Sequence, residues 1–193
     1  MHARTTTRFL ALALALAAGT TLAAEPEVAA QQFNVRSPVN TVIGGGVQQR
    51  FAQTFELYYR GEVSHLTLPV GCAPNANLIV TLETVNRSGV PSGVILTEQR
   101  VPGSILHAYP TPAVPFNLIE FTRPVTLDPG TYAFTLTRKG RGDCTLYVGP
   151  DGDTYPQGKA WFIANGNPPY WIESFFTPGV THDLAFQLYA RPR

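Results

Sequence analysis

The sequence predicts an all-β protein, a jelly-roll-like β-sandwich of about eight or nine antiparallel strands. Three observations carry that expectation. Short segments alternate apolar and polar residues at period two through most of the chain after residue 47, the pattern of half-buried strands. Turn signals separate nearly all of them, among them Asn86-Arg87-Ser88-Gly89, Asp128-Pro129-Gly130 and Asp151-Gly152. Gly and Pro number 17 each, spread so evenly after residue 30 that a helical bundle or coiled coil is excluded. Hydrophobic residues make up 44% of the 193, enough for the core of one domain.

The elements follow in order. Residues 24–46 read as a lead-in, with one short strand expected from Gln31 to Arg36, and Gly44-Gly45-Gly46 closes it. Val47, Phe51 and Phe55 fit a helix, but Phe51, Phe55, Leu57 and Tyr59 also fit alternation, with Gln53 the exception. The segment is short, aromatic-rich and flanked by Gly46 and Gly61, so it is read as a strand. Leu66, Leu68 and Val70 then alternate, followed by Leu78, Val80 and Leu82, and by a short run from Val94 to Thr97. Ile119 with Phe121, and Tyr132 with Phe134 and Leu136, make two more strands, and Leu146 with Val148 a short one. Residues 160–164 are apolar on both faces, so that Trp161 or Phe162 must face the core. Leu184, Phe186 and Leu188 close the set. Phe121, Tyr132, Phe134, Leu184, Phe186 and Leu188 are the expected inter-sheet core.

The N-terminus carries Arg4 and Arg8 before an apolar run from Phe9 to Ala18. A positive region followed by a short apolar stretch predicts a secretory signal; the run is about half the ~20 residues of a membrane helix. Cleavage is expected after Ala23, with Ala30 the alternative. The chain thus divides into a signal peptide (1–23), the lead-in (24–46) and a sandwich domain (47–193). No transmembrane segment is expected after cleavage. Removing Arg4 and Arg8 takes the formal charge from +1 to −1, too little to track polyphosphate, so nucleic acid is not an expected partner. Cys72 and Cys144 are the only two cysteines. In an exported chain such a pair predicts one disulfide, stapling the end of one strand to the start of another.

Few residues offer chemistry. There is no G-x-S-x-G, no H-E-x-x-H, no P-loop and no G-x-G-x-x-G. His65, His107 and His182 lie far apart and are read as exposed strand or loop positions. Glu56, Glu62, Glu83, Glu98, Glu120 and Glu173 are scattered, and a glycosidase needs only two carboxylates at the right separation. Glu56, Glu83 and Glu120 alternate with core positions and are expected on a solvent face. Asp151 and Asp153, with Asp143 just before, form a candidate calcium site, because hard oxygen ligands at alternate positions suit Ca²⁺. An ordinary Asp-Gly turn is the competing reading.

The densest feature is a late aromatic cluster: Tyr155, Trp161, Phe162, Tyr170, Trp171, Phe175 and Phe176. Aromatic faces stack on the apolar faces of sugars, and Asn165, Asn167 and Glu173 are placed to bind hydroxyls. Pro168-Pro169 would stiffen the loop carrying Tyr170 and Trp171. The expected ligand-binding residues are Tyr170, Trp171, Trp161, Tyr155, Asn167 and Glu173; core packing is the competing role.

The order of motifs resembles exported bacterial domains of the choice-of-anchor type. The matching elements are Gln53-Thr54-Phe55, Val63 to Leu68, Leu78 to Thr84, Gly89-Val90-Pro91-Ser92-Gly93, Phe121 to Tyr132, Tyr155 to Ala160 and Asp183 to Tyr189, together about residues 48–190. The resemblance implies a secreted or surface β-sandwich with no assigned chemistry and supplies no catalytic residues. With Arg193 directly after the last strand and no apolar tail, secretion or periplasmic residence is expected rather than anchoring. The expected function is non-catalytic binding of a carbohydrate or cell-surface component, with no cofactor beyond calcium. The alternatives are a polysaccharide hydrolase using two carboxylates, with Glu173 and Glu62 first, or a structural envelope or matrix protein.

Overall fold

The computed structural model describes residues 24–36, 40–106, 116–165, 170–173 and 179–193. The expected signal peptide, His107, Asn167, Pro168, Pro169, Phe175 and Phe176 lie outside the described residues. The rest is an all-β sandwich. The strands are β1 (Glu27–Gln32), β2 (Asn40–Ile43), β3 (Arg50–Leu57), β4 (Gly61–Leu68), β5 (Val70–Cys72), β6 (Ala76–Val85), β7 (Pro91–Pro102), β8 (Asn117–Leu127), β9 (Gly130–Gly140), β10 (Cys144–Asp151), β11 (Ala160–Ile163), β12 (Ile172–Glu173), β13 (His182–Leu184) and β14 (Phe186–Pro192). A single 3-10 turn at Gly103–Ile105 follows β7.

The strands pair antiparallel. One sheet has the order β1-β14-β4-β8, and a larger one the order β12-β11-β3-β9-β6-β7. A small sheet, β13-β10-β2, carries β5 on β10 as well. Alternation explains which side of each strand is buried. On the larger sheet Phe51, Phe55 and Leu57 of β3, Phe134 and Leu136 of β9, and Leu78, Val80 and Leu82 of β6 belong to one core cluster. On the smaller main sheet Leu66 and Leu68 of β4, Ile119 and Phe121 of β8, and Phe186 and Leu188 of β14 belong to the same cluster. The sheets meet where Phe134 and Phe186 contact edge to face, centroids 5.2 Å apart, a favoured aromatic geometry. Five of the six expected inter-sheet residues are buried; Tyr132 is only partly buried, its hydroxyl donating to the Asp128 carbonyl at 3.0 Å.

Several elements differ from the expectation. The described residues hold more strands than eight or nine, because β1, β2, β5 and β12 are short and lack a clear alternation. The lead-in is part of the sheets: β1 runs from Glu27 to Gln32 instead of 31–36 and pairs with β14, while β2 pairs with β10. The short run at Val94 extends across twelve residues as β7, because register shifts near Glu83 let the strand absorb Gly93. Where the two main sheets lie side by side at β7 and β8, side chains close the gap. Gln99 Oε1 accepts from the Thr122 backbone and hydroxyl, and the Thr97 hydroxyl donates to the Arg123 carbonyl. These bonds occupy polar groups that an open strand edge would offer to another chain.

Cys72 and Cys144 are disulfide-bonded. They are register partners across β5 and β10, and both are buried in the core. The bond ties chain positions 72 residues apart, so it restricts the unfolded chain strongly.

Candidate binding face at the β11–β12 edge

The register of the larger sheet fixes what lies on its outer side. Phe51 and Phe55 point into the core, so Arg50, Ala52 and Thr54 point outward, since side chains alternate along a strand. Trp161 is the register partner of Ala52, and Ile163 that of Arg50. Glu173 is the partner of Trp161 across β11 and β12. Directly opposed residues share a face, so one outer row runs Glu173, Trp161, Ala52, Thr135, Thr81 and Glu98 across all six strands. Phe162 packs inward on Phe51, centroids 5.4 Å apart. Of the two aromatic residues that alternation left undecided, Phe162 therefore faces the core and Trp161 faces out.

The middle of this outer face is closely packed, with Ala52, Thr54, Ala133, Thr135 and Thr81 all buried. The open part is its β11–β12 edge. Tyr170 is 62% exposed there, and Trp161, Trp171 and Glu173 are half-buried. The Arg50 guanidinium lies over the Trp171 ring, 5.9 Å from its centroid, a cation–π contact that fixes the indole. Lys159 Nζ sits 3.0 Å from Glu173 Oε2. Lys159 is placed by backbone pairing: its carbonyl accepts from Thr54 N at 2.9 Å, and its amide donates to Thr54 Oγ1 at 2.8 Å. The preceding turn lies so close to β3 that a side chain at Gly158 would strike the Thr54 carbonyl.

A buried clamp holds that turn. Asp183 Oδ2 accepts from the amides of Thr154 (2.9 Å) and Tyr155 (2.8 Å) and from the Thr154 hydroxyl. Its Oδ1 accepts from Gln53 Nε2 at 3.0 Å, and Gln53 Oε1 accepts from Leu184 N at 2.8 Å. Burial pushes the Asp183 carboxyl above the usual carboxylate range, and the bonds from Gln53, Tyr155 and Thr154 oppose that rise. Asp183, His182, Asp153, Lys159 and Glu173 line a cleft of about 180 Å³ beside the aromatic edge.

Four of the six expected binding residues, Tyr170, Trp171, Trp161 and Glu173, are thus brought together on one edge. Asn167 lies outside the described residues. Tyr155 does not join them. It is 6% exposed and stands edge-on to Phe186 at 5.3 Å, and burial raises its hydroxyl pKa to about 12. The amide that follows Thr154 is pulled onto Asp183, which turns the Tyr155 ring inward. The candidate calcium residues are engaged with other groups or lie apart. Asp151 is paired with Arg36 and lies 3.4 Å from His182 Nδ1, while Asp143 Oδ1 is held by the Gly45 amide and faces Arg138. Asp153 lines the cleft instead, and among the described residues no group of three His, Cys, Asp or Glu is placed to hold a metal. Gly152, with φ +97°, bends the chain directly after Asp151, the last residue of β10.

Three polar residues expected at the surface sit elsewhere. Glu83 is buried: its Oε1 accepts from the Thr81 and Thr135 hydroxyls, both at 2.9 Å, and its Oε2 from Gly93 N at 3.0 Å. It does lie on the outer face, but that face is packed there. His182 is 2% exposed, within the small sheet. His65 is half-buried and stacked on Tyr189 at 4.2 Å. Glu62 faces Arg191 and Arg193 on the other main sheet, so it does not share a cleft with Glu173. Arg50, Lys159 and the Gln53–Asp183 clamp were not singled out as site residues. The lone break in the alternation of β3, at Gln53, was the available signal. No protein-family model, curated protein or solved structure matches the chain.

Proposed function

We propose that the protein is an exported, non-catalytic β-sandwich that binds a carbohydrate or another cell-surface component at the β11–β12 edge. One observation carries this reading: Trp161 and Trp171 flank an accessible edge that also holds exposed Tyr170 and the carboxylate of Glu173. Indole and phenol rings stack on the apolar faces of sugars, and a carboxylate accepts hydroxyl hydrogen bonds. The carboxylates speak for binding over hydrolysis. Glycosidases place two carboxyl groups across the scissile bond, about 5–10 Å apart. Glu62 is paired with two arginines on another sheet, and although Glu173, Asp153 and Asp183 share one cleft, Glu173 is paired with Lys159 and Asp183 has both oxygens engaged by the chain, so Asp153 has no uncommitted carboxylate beside it.

Export is part of the same reading. A buried disulfide suits an oxidising compartment, and the first 23 residues have the pattern of a secretory signal. No helix among the described residues is long and apolar enough to cross a membrane. A glycan and polysaccharide screen of the mature protein, run beside Trp171→Ala and Trp161→Ala, tests the function. Binding by the parent that both variants weaken, with melting temperatures near the parent's for Trp171→Ala, is expected. A parent that binds no glycan overturns the carbohydrate reading.

A further inference from the structure

From the surroundings of Arg50 we infer that the preferred ligand is an acidic glycan, one whose sugar units carry carboxylates, and that Arg50 reads the carboxylate. This rests on the glycan-binding reading above and names the class of ligand for the same edge. Arg50 is exposed at the start of β3 and has no carboxylate partner among the described residues. Six ion pairs take up Arg36, Arg60, Arg138, Lys159, Arg191 and Arg193, while Arg50, like Arg87, Arg100, Arg123, Lys139 and Arg141, appears in none. Arg50 instead joins two features. On one side its guanidinium lies over Trp171. On the other it lines a pocket of about 230 Å³ shared with Gln48, Gln49, Thr137, Arg138 and Asn165.

That pocket is built from donors. Its lining offers guanidinium, amide and hydroxyl groups and no carboxylate. A nearby acid, Asp143, is turned to Arg138 and to the Gly45 amide, which offsets Arg138 and leaves Arg50 as the unpaired cation of this pocket. Gln48 stands at the rim with φ +51°, the one non-glycine positive φ among the described residues. That conformation closes the tight turn between Gly44 and Gln49, which brings Gln48 and Gln49 to the pocket.

The chemistry selects the ligand. A guanidinium presents a planar fork that binds carboxylate in two parallel hydrogen bonds. The half-buried indole beside Arg50 supplies aromatic surface for the apolar side of a pyranose ring. A polyuronate chain offers both groups on neighbouring units: a ring for Trp171 from one and a carboxylate for Arg50 from the next, with ring hydroxyls for Gln48, Gln49 and Asn165. Glu173, on the same face, does not repel such a ligand strongly because Lys159 neutralises it.

The test uses one polymer in two states: unesterified homogalacturonan and the same chain fully methyl-esterified, which keeps the sugars and removes the charge. The mature protein is titrated with each by calorimetry, beside Arg50→Gln, Arg50→Lys and Trp171→Ala. The parent is expected to bind the acidic polymer roughly tenfold or more tightly than the ester, the size of a hydrogen-bonded charge. Arg50→Gln should erase that difference, Arg50→Lys restore part of it, and added salt should weaken only acid binding. Circular dichroism melts of each variant establish that it is folded. Equal affinity for acid and ester, or an acid preference that survives in folded Arg50→Gln, overturns the inference and leaves glycan binding standing. Binding only to neutral glycans does the same. Binding to no glycan of any kind overturns both.

Discussion

Gln53 is fully buried in β3, and replacing it tests the clamp that holds the turn beside the proposed binding edge. Its amide bridges Asp183 and Leu184 with bonds of 3.0 and 2.8 Å. Gln53→Leu keeps nearly the same volume and removes both. The loss of the bond to the Asp183 carboxyl is worth about 1.5–3 kcal/mol, and an orphaned, buried Leu184 N–H costs about 1–3 kcal/mol more. The added apolar burial of leucine returns about 1–2 kcal/mol. The net expectation is a loss of about 2–4 kcal/mol, or roughly 4–16 °C in Tm for a chain of this size. Urea unfolding followed by circular dichroism measures it. Gln53→Glu separates the electrostatic part. It keeps the bond to Leu184 N but sets two carboxyl groups against each other in a buried site, so one must hold a proton. That variant should be strongly destabilised at pH 7 and recover toward the parent near pH 4. A loss below about 0.5 kcal/mol for the leucine variant, or a pH-independent glutamate variant, would refute the reasoning.

Three further outcomes follow from the fold. Denatured, unreduced protein should show no reactive thiol, and reduction should lower Tm, since the Cys72–Cys144 crosslink contributes roughly 4 kcal/mol in the chain-entropy account; two titratable thiols would contradict the pairing. Phe186→Ala, which empties a site between Phe134 and Tyr155, should lose about 3–5 kcal/mol in the same urea assay. Asp183 has a folded pKa raised above its unfolded value, so its linked stability is complete below about pH 4 and is lost as pH rises through the folded pKa. The stability gap between the parent and Asp183→Asn should therefore narrow as pH rises from about 4 and then level off; a gap that widens would reverse the sign of the shift.

Much of the sandwich is legible in residue order because period-two alternation marks the buried side of each long strand. Leu66, Phe134 and Phe186 are core residues for that reason alone. Alternation names a face but not what lies against it. Glu83 falls on the outer side as its spacing requires, yet Thr81, Thr135 and Gly93 enclose its carboxylate there. Gln53 breaks the pattern on the core side because its partner, Asp183, is contributed by a strand far along the chain, and no local pattern shows that pairing. Short elements escape for a related reason. Two residues of β12 carry no period, yet their register against β11 is what sets Glu173 beside Trp161. Four of the expected binding residues come together because the aromatic cluster is compact in sequence; Tyr155, from the same cluster, is lost to the core through an amide bonded to Asp183. Arg50 is distant from the cluster and joins it only through strand pairing.

The two tryptophans of the chain both lie at the proposed binding edge, so intrinsic fluorescence reports on that edge alone. The most direct measurement is a titration of the protein with a glycan that it binds in an independent assay, following tryptophan emission. Stacking of a sugar on Trp171 or Trp161 predicts a saturable change in emission at the same Kd as the independent assay, reduced in Trp171→Ala, and loss of binding in the independent assay for Trp161→Ala/Trp171→Ala, which has no tryptophan left to follow. Binding with no change in emission, or binding that survives in the double variant, would place the ligand elsewhere and contradict the account.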